Sequence, residues 1–137
     1  NTSELDMYFE AYNIISEMSE TVSKEYLELK RWVAQLIGDT YNDEKNIIKA
    51  IEYWKIALDT AKLLPKDSMA SKRKQLCCEI GEALSKEKKF EEAISYFENA
   101  YNICCEYDYD KEGVLKALIS NYSLRNDSAK AEYYKKL

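Results

Sequence analysis

Apolar residues along this chain recur at steps of three and four, the period of one face of an α-helix. In KNIIKAIEYWKIALDTAKLL, residues 45–64, they fall at Ile47, Ile48, Ile51, Trp54, Ala57, Leu58 and Ala61. FEEAISYFENAYNICC, residues 90–105, sets out Phe90, Ala93, Ile94, Phe97, Ala100, Tyr101 and Cys104 in the same scheme. Laying Ala57 on Ala100 lays Ala50 on Ala93, Trp54 on Phe97 and Ile47 on Phe90, so the offset of 43 residues between 57 and 100 holds throughout. The helix before each of these keeps the same register, with Ile37–Gly38 on Ile80–Gly81 and Tyr41 on Leu84. The chain is therefore predicted to repeat a helical hairpin, once over residues 23–64 and again over 66–107.

The flanks carry weaker copies. Residues 109–137 read as a third, shorter hairpin, with Ile119, Tyr122 and Ala131 in the glycine, aromatic and alanine slots and Asn126 or Asp127 as a cap between its helices. Residues 1–20 read as a lone second helix or a cap, because Ala11 aligns with Ala57 and Ala100 and thereby sets Tyr8 on Trp54 and Phe97. That face, Tyr8, Ala11 and Ile15, is expected to need cover, which makes a homodimer through the ends of the stack possible. The start at Asn1 rather than Met, on an unpaired second helix, reads as a piece of a longer protein.

Composition narrows the picture without changing it. Three glycines and one proline in 137 residues leave no material for many tight turns, so an all-α single domain is expected. Glycine inside a helix costs about 1 kcal/mol relative to alanine. Gly38 and Gly81 are thus expected to mark close helix approach, with Ala50 and Ala93 as the facing small surface and Trp54 and Phe97 filling the space between hairpins. A net charge of −5 disfavours a nucleic-acid surface, which needs clustered Lys and Arg. No apolar run approaches the roughly 18 residues of a membrane span.

In residue type and spacing these hairpins resemble the tetratricopeptide repeat (TPR) family, whose signature is Leu-Gly, an aromatic three residues on, then Ala followed four residues later by an aromatic. The first unit supplies Gly38, Tyr41, Ala50, Trp54 and Ala57, and the second Gly81, Leu84, Ala93, Phe97 and Ala100. Ala34 and Cys77 stand where the family has an early Trp, Lys62 and Cys105 where it has the closing Pro, and the repeat is longer than the family's usual 34 residues. The resemblance implies a right-handed α-solenoid of about three antiparallel hairpins that binds a protein or peptide in a concave groove, without catalysis, cofactor or metal. Carried over residue by residue, the groove lining would be Trp32, Gln35, Asp39, Asn42, Gln75, Cys78, Glu82 and Ser85, with Lys116 and Ser120 from the third unit. Chaperone-binding members grip a C-terminal carboxylate with Lys, Asn and Arg; Gln35, Asp39, Gln75 and Cys78 stand in the corresponding places, so such tails are not expected to bind. The alternative carried by the same resemblance is a peptide-sensing regulatory domain of a bacterial transcription regulator.

Candidate chemistry is sparse. The chain has no His, the commonest general base and metal ligand, and no Gly-rich phosphate loop. The carboxylates read as solvated helix faces, and CEYDYDKEG reads as a turn because it lacks EF-hand ligand spacing. The adjacent pairs Cys77–Cys78 and Cys104–Cys105 do not have zinc-ligand spacing. They read as buried free thiols in a reducing compartment, hence a cytoplasmic protein. Twelve tyrosines are expected to serve mostly in packing, with Tyr133–Tyr134 placed to meet a following helix.

Overall fold

The computed structural model describes residues 2–17 and 23–137, which form seven α-helices and no strand among those residues. They are α1 (Thr2–Glu17), α2 (Lys24–Asp43), α3 (Ile47–Ala61), α4 (Ala70–Lys86), α5 (Phe90–Tyr107), α6 (Glu112–Leu124) and α7 (Ser128–Lys135). The all-α expectation holds. Residue 1 and residues 18–20 of the expected opening element lie outside the described residues. The packing divides the chain into two compact units, Asn1–Met69 and Ala70–Leu137.

In the first unit α2 pairs with α3, and α1 packs along α2. Ser23 starts α2 by accepting a bond from the Tyr26 N–H at 3.1 Å, and Asn46 starts α3 by accepting from Lys49 N–H at 3.3 Å. Of the apolar stripe read from the sequence, Ile51, Trp54, Ala57, Leu58 and Ala61 are buried, together with Ala50, whereas Ile47 is half-buried and Ile48 is exposed. Gly38 sets the spacing of the hairpin. A Cβ built on it would fall 2.6 Å from Nε1 of Trp54, so the glycine makes room for the indole rather than for Ala50. The indole N–H then donates to Asp39 Oδ1 at 2.9 Å. Helix α1 covers Val33 and Ile37 with Ile15, which is buried, and with half-buried Tyr8 and Ala11. The face expected to need cover is thus covered by α2, and the large apolar groups that α1 leaves in solvent are Met7 and Ile14. A cluster of rings tightens the joint, with Phe9 edge-on to Tyr53 at 5.6 Å and to Tyr41 at 6.2 Å.

The second unit repeats the hairpin with α4 and α5, and adds α6 and α7. A Cβ on Gly81 would fall 2.8 Å from Cζ of Phe97, the same interlock with a different ring. Leu76, Ile80, Leu84, Ala93, Ala100, Cys104 and Leu118 are buried beside it. In the third hairpin Ile119 occupies the glycine slot. The residue in the Trp54–Phe97 slot there is the exposed Lys135. Tyr134, one position earlier, is buried instead, stacks on Tyr122 at 5.6 Å and lies edge-on to Tyr101 at 6.0 Å. Tyr134 therefore serves this unit, and only its neighbour Tyr133 remains exposed. The Tyr122 and Tyr134 hydroxyls both donate to Glu98 Oε2, at 2.7 and 3.1 Å. Burial and then that bond raise both phenol pKa values, that of Tyr134 to about 12.

All three hairpin turns are made alike. Lys45, Lys88 and Asn126 adopt the left-handed conformation, with φ of 65°, 61° and 64°. The next N–H in each turn then reaches back to the carbonyl of Tyr41, Leu84 or Tyr122, at 2.9, 2.9 and 2.8 Å. These carbonyls belong to the aromatic slot of each repeat, so the turns corroborate the register assigned to the third hairpin. Asp127 caps α7 by accepting from Lys130 N–H at 3.1 Å, which leaves Asn126 as the turn residue. Of the CEYDYDKEG segment, residues 108–111 make the turn and the rest ends α5 or begins α6: Asp108 is left-handed at φ 56°, and Asp110 Oδ1 accepts from Glu112 N–H at 3.0 Å.

Candidate binding cleft

Within the second unit, α4 and α6 flank α5 and leave an open cleft of about 360 Å³ between them. Its walls are Glu82, Ser85 and Lys86 from α4 and Ala117, Ser120 and Asn121 from α6, with Phe97 of α5 at the floor. The sequence builds this directly. Residues 82, 85 and 86 lie within about one turn of α4, so they project on one side. Gly81 lets Phe97 come up under α4, which turns an interior ring into a cleft floor while leaving it 2% exposed.

Asn121 is the unusual member. Its slot in the first two hairpins is filled by Thr40 and Ala83. Thr40 is satisfied by donating its hydroxyl to the Leu36 carbonyl at 2.8 Å, and Ala83 has nothing to satisfy. Asn121 is 3% exposed; its Nδ2 donates to the Ala117 carbonyl at 2.8 Å, while its Oδ1 has no hydrogen-bond partner. A buried acceptor left in that state costs about 1–3 kcal/mol. The expected groove list did not contain Asn121. The signal was present, as a long amide in a slot that the other repeats fill with Thr or Ala.

Of the residues expected to line a groove, Glu82, Ser85 and Ser120 come together here. Gln75 and Cys78 lie farther toward the N-terminus of α4. Gln75 is exposed and donates to Glu79 at 2.9 Å, and burial pushes the half-buried Cys78 thiol up to about 11, against the opposing pull of Lys74. Lys116 is exposed and pairs with Glu112 of its own helix at 3.1 Å, away from the cleft lining. In the first unit Trp32 is 53% exposed and Asn42 is half-buried. Gln35 departs from the expectation: it is buried, and its Oε1 accepts from Arg31 Nη1 at 2.8 Å, one turn away on the same helix. Desolvation lowers the Arg31 pKa, with Glu28 opposing. Asp39 is half-buried and engaged by the Trp54 indole.

The cysteines also differ from the expectation of four buried thiols. None of the four is in a disulfide, and because adjacent helical residues point about 100° apart, Cys77 and Cys104 are buried while Cys78 is half-buried and Cys105 exposed. Among the described residues no group of three or more Cys, Asp or Glu is arranged to hold a metal ion, and no helix is long and apolar enough to cross a membrane. A second hollow of about 410 Å³ lies at the α4–α5 turn, lined by Lys88, Lys89, Phe90, Glu91, Glu92 and Arg125. Its opposite charges offset one another, and Arg125 is already paired with Asp127 at 3.3 Å.

With this geometry in view, comparison with solved structures is informative. The TPR domain of Arabidopsis FLU superposes with a TM-score of 0.67, covering 83% of this chain and 92% of that one at 22% identity. The chain has a TPR-like fold. The expected helical-repeat architecture is therefore present, with the interlocked Gly38–Trp54 and Gly81–Phe97 pairs of this TPR-like chain at its signature positions. No protein-family model matches the sequence, and no curated protein matches it.

Proposed function

We propose that the chain is a non-catalytic scaffold that binds a protein or peptide through the first helices of its hairpins. The observation that carries this reading is the α4–α6 cleft, which has polar walls and an apolar floor, at a volume within the about 300–1,000 Å³ usual for ligand sites. Polar groups on rigid helices around an apolar base suit recognition of a short segment, with the ring giving apolar contact and the walls giving hydrogen bonds. Glu82, Ser85 and Ser120 are the residues proposed to meet the partner first. Gln75 and Cys78 would extend the contact along α4, and Trp32 and Asn42 would offer one in the first unit. The TPR-like fold agrees with an interaction role, and the lack of any His removes the commonest catalytic base.

A random-peptide display selection on the whole chain tests the reading. Peptides should be enriched, and Ser120→Trp, an exposed position whose substitution fills the cleft, should weaken the selected peptides at least about tenfold with the circular dichroism unchanged. No enrichment, or equal binding by the filled variant, would refute it.

A further inference from the structure

We infer that the α4–α6 cleft is a receptor for a basic side chain of a partner polypeptide, a guanidinium by preference, held between the Glu82 carboxylate and Asn121 Oδ1. The inference rests on the scaffold reading above and names the chemistry of its partner.

The Asn121 amide has one allowed orientation. Its Nδ2 faces the Ala117 carbonyl at 2.8 Å, and turning the amide over would set two acceptor oxygens against each other. Oδ1 is therefore the Asn121 atom with capacity to spare, covered in a side chain only 3% exposed, and it can accept but never donate. Glu82, on the opposite wall, is likewise an acceptor when ionised. Ser85 and Ser120 can turn their hydroxyls to accept as well. A cleft lined on one wall by Asn121, with its unpaired acceptor, and on the other by the Glu82 carboxylate selects a donor-rich cation. A guanidinium carries five N–H donors on a flat frame and tolerates an apolar surface, here the Phe97 ring.

Lys86 is the one cation in the lining, four residues from Glu82 on the same helix. Its like charge opposes an incoming cation in the same cleft, and so its removal has a diagnostic sign. An anionic ligand would need Lys86, whereas a basic one binds better without it.

The test is an NMR titration of the whole chain with the capped amino acid N-acetyl-arginine amide, with the glutamate and norleucine analogues as comparisons. Saturable shifts are expected at the Asn121 side-chain amide and at the backbone amides of residues 82, 85 and 120, with an affinity on the order of millimolar. Glu82→Gln, an exposed change that leaves the core intact, should weaken binding about fivefold. Asn121→Leu should also weaken it, and Lys86→Ala should tighten it about twofold. The inference is overturned if arginine amide gives no saturable shift, if the glutamate analogue binds as well, if Glu82→Gln or Asn121→Leu changes nothing, or if Lys86→Ala weakens binding. Display-selected peptides that occupy the cleft without a basic residue would overturn this inference and leave the scaffold reading standing. An absence of any selected peptide would remove both.

Discussion

The hairpins α2–α3 and α4–α5 share one plan and differ in how they treat the acidic residue after the glycine. In the first, Asp39 accepts the Trp54 indole N–H at 2.9 Å. In the second, the equivalent Glu82 stands beside Phe97, a ring with no donor, and lines an open cleft. One aromatic-for-aromatic exchange thus decides whether a carboxylate serves the fold or lines an open cleft. The same holds one slot on, where Thr40 bonds its own helix and Ala83 is apolar, whereas Asn121 in the third hairpin has only one of its two polar atoms engaged. Repeats keep the positions that interlock helices and vary those that are left over.

The largest effects should come from the interlocks. Gly38→Ala and Gly81→Ala gain helix propensity of about 1 kcal/mol, yet each drives a methyl group into a buried ring, at a cost of about 1–3 kcal/mol or more. Net destabilisation in urea denaturation is expected for both. It should be larger at Gly38, because the Trp54 indole is also tethered to Asp39 and cannot swing aside freely. Equal losses, or a gain at either site, would break the comparison.

An intermediate effect belongs to the tether itself. Trp54→Phe converts the first hairpin's ring to the second's and removes the indole bond to Asp39. A hydrogen bond to a charged group contributes about 1.5–3 kcal/mol, so a double-mutant cycle of Trp54→Phe with Asp39→Asn should show coupling of about 1 kcal/mol or more. The matching cycle of Phe97→Leu with Glu82→Gln should show almost none. Coupling in both hairpins would mean that Glu82 is structural after all.

The smallest effect is shared by both hairpins and sharpens what they have in common. Lys45 and Lys88 hold left-handed backbone at φ 65° and 61°, a conformation that strains any residue with a Cβ by roughly 1–2 kcal/mol. Lys45→Gly and Lys88→Gly should each stabilise by about 0.5–1 kcal/mol, since glycine's greater unfolded-state entropy offsets part of the relief. Calorimetry should register a small rise in Tm for each, and a fall for either would show that the lysine side chain matters to the turn.

Much of this molecule is written in its periodicity. The spacing of Ala50, Trp54 and Ala57, and of Ala93, Phe97 and Ala100, declares helices and their inward faces, because a helix fixes which residues share a side whatever it packs against. The glycines could be seen to mark close approach, but what approaches is a ring edge rather than Ala50 or Ala93, and that depends on rotamers set by the packed hairpin. The turns were not legible at Lys45 and Lys88, since nothing in a lysine announces a left-handed backbone. Gln35 sits in a groove slot and is buried, because its neighbour Arg31 supplies a partner one turn away. Asn121 shows the converse: the sequence placed an amide in a slot that its sister repeats fill with Thr and Ala. The bond from its Nδ2 to Ala117 is local to α6, but only tertiary packing buried the amide and left its oxygen unpaired. Local spacing determines which face of a helix is apolar and which polar atoms can pair one turn away, whereas tertiary packing decides which of them are buried and which rings and carboxylates meet across helices.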